Sequence, residues 1–343
     1  MAKIVMVDDG VAFDGATPDC RPMGGAEAAF LALAEGFAIN GHDVRVRNQC
    51  AALRNRNGVE WAPLASGLPG EADLYIANRG HRLIGLVPRA RKRIFWLHNP
   101  GAYLRKPRYF VPLARWRPIL VISGEYHART VPWWIPSGGR VVIPYGVADP
   151  FRHATPRDPP RPLAVFTSNP LRGLDWLLDL WERFVHPAVP EAEFHIYAGP
   201  SVYRAENGAK AKAMEASLSR AAALSTIGIR AHPPLPRSAL ITALMSARVM
   251  LYRGDEGETF CLSVAEAQAL GIPAVVQPLG SLPERVVNGV TGMVTADESK
   301  FAASAISLLT DDMLWRRHHQ AALACQRGLS WTQVATRFEE LLT

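Results

Sequence analysis

The sequence predicts an α/β protein with two consecutive doubly wound domains, and three observations lead to this fold class. Short apolar segments alternate with segments of helical periodicity. The predicted strands are apolar along their whole length, which is typical of a parallel sheet covered on both faces. Six prolines interrupt the alternation within residues 141–166, and the same pattern then restarts. Because so many prolines disfavour a helix or a central strand, we interpret this segment as the interdomain linker.

The first half contains six predicted strands and one clearly predicted helix. The strands are residues 3–7, 44–47, 74–77, 93–97, 119–123 and 141–143. Phe30, Leu33 and Phe37 recur at helical spacing, so a helix is predicted over residues 26–40, ending before Gly41.

The second half repeats the alternation with a new set of elements. Strands are predicted at residues 163–167, 194–198, 229–231, 249–252 and 274–277. Helices are predicted at residues 174–184, 210–224, 238–246 and 262–270.

Composition excludes several classes of protein. The chain has 343 residues, of which 48% are hydrophobic and 20% charged, so it is not a disordered chain. No window approaches the roughly 20 uncharged apolar residues of a membrane-spanning helix, and the N-terminus predicts a strand rather than a signal peptide. Its four scattered cysteines form no CxxC pair. We therefore expect no zinc ribbon or disulfide framework, and a reducing cytoplasm.

Positive charge is concentrated in residues 74–124. This segment contains eleven Lys or Arg residues and no Asp or Glu; since the whole chain carries +7, the remainder is at −4. Aromatic residues lie among the basic ones, a mixture that suits an anionic membrane surface, single-stranded nucleic acid or an ordinary solvated face. The candidate membrane or acceptor patch consists of Arg89, Arg91, Lys92, Arg93, Arg105, Lys106 and Arg108.

An acidic loop leads directly into the predicted helix at residues 262–270. The N–H groups of Thr259 to Leu262 are expected to be free at the helix start, where they would hold a phosphate. Glu258 is placed to accept hydrogen bonds from sugar hydroxyls, and Glu266 from ribose hydroxyls. Taken alone, these acidic residues are equally explained as complements to the helix dipole.

Further matches identify a family. Glu258 and Glu266, separated by seven residues and followed by Ala-x-Ala-x-Gly-x-Pro, resemble the E-x7-E signature of glycosyltransferase family 4. The resemblance continues through residues 278–284 and 288–292, and upstream through residues 24–27, 41–44 and 142–147. It implies the GT-B fold, in which two Rossmann-like doubly wound domains face each other across a cleft and the C-terminal helix crosses back to the first domain. Expected domains are residues 1–148 on the acceptor side, 149–326 for the nucleotide sugar, and 327–343 as the returning helix.

The resemblance also implies the roles of particular residues. His98 matches the active-site histidine that contacts the donor sugar, and it follows a predicted strand. Arg172 matches the basic residue that neutralises the leaving pyrophosphate, for which a planar guanidinium is suited. With Glu258, these are the expected catalytic residues. The expected donor-binding residues are Gly24, Gly25, Arg253, Thr259, Phe260, Cys261, Leu262, Glu266, Gly280 and Ser281.

Three departures from the family pattern concern the donor. Residues 167–169 stand where the family has a phosphate-binding arginine, and we hypothesise that Arg253 or Arg21 replaces it. Cys261 and Ser281 each occupy a position that is usually glycine, so the donor preference of the family does not carry over.

The implied function is retaining, hexosyl-type transfer from a nucleoside-diphosphate sugar to an acceptor hydroxyl. Because no D-x-D sequence is present, we expect no metal and no other cofactor. Expected partners are the donor, a saccharide or glycolipid acceptor from cell-surface polysaccharide or glycolipid synthesis, and an anionic membrane surface, but no nucleic acid. The expected location is the cytoplasm or the inner face of the plasma membrane.

Three alternatives stay open. A sugar-nucleotide epimerase or hydrolase could share the same two-domain fold. A nicotinamide-dependent enzyme is disfavoured because G-x-G-x-x-G does not follow the first strand. A nucleic-acid-binding protein is disfavoured because RNP, zinc-finger and heptad signatures are absent.

Overall fold

The chain folds into two compact units, as seen in a computed structural model that describes residues 1–203 and 208–343. Unit 1 comprises Met1–Cys20, Gly25–Gly146 and Leu329–Thr343. Unit 2 comprises Arg21–Gly24 and Val147–Gly328.

Unit 1 is built on an eight-stranded sheet. Its strands are β1 (Lys3–Asp8), β2 (Asp43–Asn48), β3 (Arg54–Arg56), β4 (Val59–Pro63), β5 (Glu71–Asn78), β6 (Arg89–Trp96), β7 (Ile119–Ile122) and β8 (Gly139–Val142). They are arranged in the order β3-β4-β2-β1-β5-β6-β7-β8, and all neighbours are parallel except β3 and β4. The carboxyl ends of β1, β5, β6 and β7 therefore lie side by side at one edge.

Unit 2 contains a six-stranded sheet in which every pair is parallel. Its strands are β9 (Leu163–Phe166), β10 (Glu193–Tyr197), β11 (Ile229–His232), β12 (Val249–Tyr252), β13 (Ala274–Val276) and β14 (Gly292–Val294). The order is β11-β10-β9-β12-β13-β14. All four residues of β9 and of β12 are buried, in agreement with their uninterrupted apolar sequence.

Helices cover the sheets. In chain order they are α1 (Thr17–Cys20), α2 (Gly25–Ile39), α3 (Pro107–Trp116), α4 (Glu125–Thr130), α5 (Asp149–Arg152), α6 (Leu174–Leu180), α7 (His186–Ala188), α8 (Ala209–Ala223), α9 (Arg237–Met245), α10 (Leu262–Ala269), α11 (Glu298–Thr310), α12 (Asp312–Cys325) and α13 (Trp331–Glu339). A π turn, Trp181–Val185, joins α6 to α7. None of the helices within the described ranges combines the length and apolar character that crossing a membrane requires.

The predicted fold class is confirmed, and every predicted strand and helix has a counterpart. The sequence reading missed the short antiparallel pair β3 and β4, which contains exposed polar residues, and it did not define β14, α11 and α12. Residues 141–166, predicted as the linker, also contain the end of β8, the short helix α5 and all of β9.

The last helix, α13, packs on α2 within unit 1. It begins with a capping box, in which Ser330 Oγ accepts a hydrogen bond from the Gln333 amide (3.1 Å) and Gln333 Oε1 accepts one from the Ser330 amide (2.8 Å). The two helices approach closely at Gly36, where a Cβ atom would lie 2.6 Å from the carbonyl oxygen of Trp331. The rings of Phe37 and Phe338 pack edge to face, with centroids 6.1 Å apart.

Replacing Gly36 with Ala tests this contact. Alanine favours a helix by about 1 kcal/mol relative to glycine, but overpacking against backbone costs about 1–3 kcal/mol. We expect a net loss of stability, measured as a lower urea midpoint for unit 1. Gly70→Ala is the control, because the nearest atom to its added Cβ is the flexible end of Arg89. Equal stability of wild type and Gly36→Ala would show that α13 does not depend on this close approach.

Candidate active site

A chain of buried polar side chains crosses the carboxyl edge of the sheet in unit 1. Asp8 ends β1 and Asn78 ends β5, and the two residues are register neighbours. The Asn78 amide donates to Asp8 Oδ2, and Asn78 Oδ1 contacts His98 Nε2. His98 Nδ1 contacts the hydroxyl of Tyr145. Four strand ends or loops are thus linked through one imidazole.

These contacts define the tautomer of His98. Asn78 uses its amide hydrogen on Asp8, so its Oδ1 acts as the acceptor and His98 Nε2 must carry the proton. His98 Nδ1 then accepts from Tyr145. Burial, helped by the positive charge of Arg79, places the pKa of His98 well below its ordinary value. The ring is therefore neutral at physiological pH.

Asp8 belongs to a small buried ion network. Arg79 Nη2 lies 2.7 Å from Glu27 Oε1 and 3.3 Å from Asp8 Oδ2. Burial raises the pKa of Asp8, and Arg79 opposes that rise. Arg79 has a left-handed backbone (φ 49°), and its Nη2 atom lies 2.7 Å from the position that a Cβ on Gly10 would occupy, so Gly10 and Arg79 approach closely.

A second buried histidine, His127, holds the loop that follows His98. Its Nδ1 accepts from the Ser123 amide (3.2 Å), and its Nε2 donates to the carbonyl oxygen of Asn99 (2.9 Å). Burial lowers the pKa of His127 to about 4. Asn99 is the residue after His98, so His127 fixes the backbone beside the candidate catalytic histidine.

Unit 2 contains the second polar cluster, centred on Glu258. The Tyr252 hydroxyl donates to Glu258 Oε1, and Arg172 Nη1 forms an ion pair with the same oxygen. Arg172 Nε also lies 3.6 Å from Asp255 Oδ2. Burial alone would lower the pKa of Arg172, but the two carboxylates outweigh it and the pKa lies above its ordinary value. The sequence predicted Glu258 and Arg172 separately, and the structure brings them into direct contact.

The loop containing Gly280 and Ser281 closes over the backbone of Glu258. The Ser281 amide donates to the Glu258 carbonyl oxygen at 3.0 Å. Gly280 adopts φ +58°, and a Cβ there would lie 2.6 Å from the same oxygen, so glycine is required for this approach. Both predicted loop residues therefore support Glu258 through main-chain contact.

The helix after Glu258 begins at the predicted residue, but the amides assigned to its start do not all belong to it. Its first residue is Leu262, and Cys261 precedes it in the left-handed conformation (φ 63°). Thr259 and Phe260 lie before the helix, so the prediction that their amides belong to its first turn is wrong. Burial raises the pKa of the Cys261 thiol, which is therefore protonated.

Glu266 has a partner that the sequence did not indicate. Arg237, the first residue of α9, forms an ion pair with Glu266 Oε1, and its guanidinium lies over the ring of Phe151, 5.2 Å from the centroid. Burial lowers the pKa of Arg237 to about 10. No local motif marks Arg237, because it meets Glu266 across 29 residues of chain.

The Nε atom of Arg253 is buried and has no hydrogen-bond partner among the described residues. Its side chain lies against Gly173, where a Cβ would come within 2.5 Å, and over the ring of Trp176 at 5.8 Å. Gly24 and Gly25, predicted together, fall in different units: Gly24 ends the short unit 2 segment, and Gly25 begins α2 in unit 1.

Only some residues of the predicted basic patch lie on the surface. Arg89, Arg91, Arg105, Lys106 and Arg108 are exposed, and Lys92 is half-buried.

Arg93 is an exception within that patch, and the prediction for it is wrong. It is buried, donates to the carbonyl oxygens of Ile84 and Val87 at 2.7 Å each, and lies 4.5 Å from the ring centroid of Trp116. It is a structural residue rather than a surface contact.

The part of the chain that contains the Glu258 cluster is similar to known glycosyltransferases. Residues 161–311, which hold the Glu258 cluster, match the family described as Glycosyl transferases group 1. The D-inositol 3-phosphate glycosyltransferase of Corynebacterium efficiens is 33% identical over 115 residues, which are 33% of this chain and 27% of that protein. The chain thus spans about a quarter of the length of the curated relatives it matches.

Solved structures match over nearly the whole chain. Sucrose-phosphate synthase from Thermosynechococcus elongatus has a TM-score of 0.75 at 14% identity, covering 98% of this chain and 97% of that one. Anabaena Alr3699/HepE in complex with UDP-glucose has a TM-score of 0.73 at 16% identity, covering 100% and 99%. These likenesses show that the fold is GT-B.

Acid should destabilise unit 1 through His127. Its pKa is about 4 in the folded chain against an ordinary 6.5, so only the unfolded chain takes up the proton between these values. The contribution of His127 to the free energy of unfolding is therefore fully present above pH 6.5, and it falls by about 2 kcal/mol between pH 6.5 and pH 5. Thermal unfolding across this range should show a shallower pH dependence for His127→Gln than for wild type. The exposed His153→Gln is the control, and an unchanged slope in His127→Gln would contradict the assignment.

Proposed function

We propose that this protein is a retaining, hexosyl-type glycosyltransferase of family 4 that transfers a sugar from a nucleoside-diphosphate sugar to an acceptor hydroxyl. The observation that carries the proposal is the pair of the half-buried Arg172 with the buried Glu258, next to Tyr252 and within the segment that matches the glycosyltransferase family. A cation and a carboxylate held this close suit a substrate that carries both a diphosphate and sugar hydroxyls.

Arg172 would stabilise the departing diphosphate. Its guanidinium is held in place by Glu258 and Asp255 before any substrate arrives, so little reorganisation is needed when negative charge develops. Both contacts to Glu258 use Oε1, and neither engages Oε2. Glu258 Oε2 is therefore the atom we assign to a sugar hydroxyl.

The transfer step breaks the bond between the anomeric carbon and the diphosphate oxygen and forms a bond from that carbon to the acceptor oxygen on the same face. The acceptor proton passes to the departing diphosphate oxygen. We propose that no metal takes part, since Arg172 supplies the positive charge that such a step requires.

His98 is assigned a contact role rather than proton transfer. Its ring is neutral, Nε2 is tied to Asn78 and Nδ1 to Tyr145. A sugar hydroxyl would reach Nδ1 by exchanging with the Tyr145 hydroxyl. We further propose that Glu266, oriented by Arg237, receives the ribose hydroxyls of the donor.

The biological setting is also a proposal. An acceptor from cell-surface polysaccharide or glycolipid synthesis, at the cytoplasmic face of a membrane, would agree with the exposed basic residues of unit 1. The structures with UDP and UDP-glucose among the fold neighbours make uridine donors the first to test.

The first experiment is a panel of UDP-, GDP- and dTDP-sugars scored for thermal stabilisation. A donor at 100 times its dissociation constant should raise the free energy of unfolding by about 2.7 kcal/mol. Stabilising donors are then tested for transfer with and without EDTA, and the anomeric configuration of the product is read by NMR. Rapid donor turnover without acceptor would favour the epimerase or hydrolase alternative, and an inverted product would contradict retention.

Arg172→Ala and Glu258→Gln test the cluster. Removing a charge that acts on the transition state should lower kcat by about 10²–10³. Arg183→Ala is the matched control, since Arg183 forms an exposed ion pair with Glu298 in the same unit. Normal kcat in both cluster variants would refute the assigned roles.

Arg253→Ala tests whether Arg253 takes the place of the phosphate-binding arginine that the family has and this sequence lacks. If Arg253 replaces the family's arginine, donor affinity should fall by tenfold or more, because one phosphate contact to a charged group contributes about 1.5–3 kcal/mol. Donor affinity is measured by calorimetry with the stabilising nucleotide sugar. Unchanged affinity would exclude Arg253.

A further inference from the structure

Several of the large apolar side chains that unit 1 exposes lie together on helix α3 and the loop at residues 132–134. Trp133 is 86% exposed and Trp134 is 45% exposed. The neighbouring helix α3 adds Val111, which is 62% exposed. Phe110 on α3 contacts Trp134, with ring centroids 6.1 Å apart, so loop and helix form one continuous surface. We call residues 105–117 together with residues 132–134 the Trp-α3 surface.

Hydrogen bonds to the loop backbone hold the two indoles in exposed positions. Arg140 donates to the carbonyl oxygens of Pro132 (2.7 Å), Trp133 (2.9 Å) and Ile135 (3.2 Å). Ile135 is buried in the core of unit 1, which anchors the loop at its end. The backbone is therefore held while both rings point outward.

Helix α3 has two chemically distinct faces. Leu113 is buried, and Tyr109, Phe110 and Trp116 pack against the core. The outer face instead presents Arg108, Val111 and Arg115, which are all exposed. Arg105, Lys106 and Arg117 flank the helix and are exposed as well. Glu125 is the only acidic residue between positions 74 and 148, so this surface is strongly positive.

We propose that the Trp-α3 surface docks unit 1 on an anionic lipid bilayer. Tryptophan side chains prefer the headgroup level of a membrane, and basic residues around them are attracted to anionic lipids. An amphipathic helix with a cationic polar face lies in the interface plane. Charge complementarity therefore selects an anionic membrane as the occupant, and the two exposed indoles provide its anchor.

This inference differs from the sequence-based patch. Arg93 is buried and contributes nothing to it. Arg89 and Arg91 lie at the beginning of β6, whereas α3 follows the end of β6, which is also where His98 lies. The docking surface is thus centred on residues after the candidate catalytic histidine, and its principal anchors are tryptophans that charge counting does not detect.

The test is sedimentation of the full chain with vesicles of phosphatidylcholine plus phosphatidylglycerol, compared with phosphatidylcholine alone. Wild type should bind only the anionic vesicles. Trp133→Ser with Trp134→Ser should weaken binding about tenfold or more, because two apolar side chains lose their burial. Arg105→Ser with Lys106→Ser should weaken it about fivefold per charge at low salt, and less at high salt.

Two matched controls locate the surface. Met313→Ser removes an 82% exposed apolar side chain from unit 2 and should leave binding unchanged. Arg89→Ser with Arg91→Ser removes the same charge as the Arg105 and Lys106 pair and should weaken binding less. Equal loss in both charge variants, or wild-type binding by the tryptophan variant, would overturn the proposal.

A second copy of the chain is the competing occupant. Ultracentrifugation without lipid should show no self-association that depends on Trp133 and Trp134; such association would also overturn the proposal. Vesicle binding is measured without donor or acceptor, so its outcome is independent of the proposed transfer reaction. Circular dichroism melts should match wild type, since the substituted side chains are exposed.

Discussion

A carboxylate that is buried at or beyond the carboxyl end of a strand must be paired, and each unit is organised around one such group. In unit 1 it is Asp8, paired with Arg79 and hydrogen-bonded by Asn78. In unit 2 it is Glu258, paired with Arg172 and hydrogen-bonded by a tyrosine. Removing one partner from a buried pair costs about 3–5 kcal/mol, because the remaining charge is left uncompensated. The surrounding loops are therefore fixed by electrostatics as well as by packing.

The parallel register of the sheet in unit 1 brings the polar residues at neighbouring strand ends together into one site. Asp8 pairs with Asn78 across β1 and β5, and Asn78 pairs with Trp96 across β5 and β6. His98 follows Trp96 by two residues, so the carboxyl ends of β1, β5 and β6 place their polar residues around the imidazole of His98. Both the strands and the position of His98 could be predicted, because uninterrupted apolar runs mark buried parallel strands and the carboxyl edge is common to all of them.

Long-range pairing could not be predicted from local pattern. Arg237 pairs with Glu266, which lies 29 residues away along the chain, and the local sequence around either residue does not indicate the other. Arg93 belongs to a run of basic residues that reads as surface, and strand alternation puts it on the same face of β6 as the exposed Arg91. It is buried because the ring of Trp116 and the carbonyl oxygens of Ile84 and Val87 cover that face farther along the strand. The amides of Thr259 and Phe260 were also wrongly assigned to the start of α10, because Cys261, just before the helix, takes a left-handed conformation that glycine more commonly adopts.

The return of α13 to unit 1 has a consequence for the order in which the chain folds. Unit 2 interrupts unit 1, whose own segments lie on both sides of it. As the chain leaves the ribosome, the strands of unit 1 appear first, and its closing helix appears only after residues 147–328 have been made. Unit 2 can reach its native structure before unit 1 is complete. Until residues 329–343 emerge, the α2 face around Gly36 stays uncovered, so unit 1 is the part of the nascent chain most exposed to misassembly.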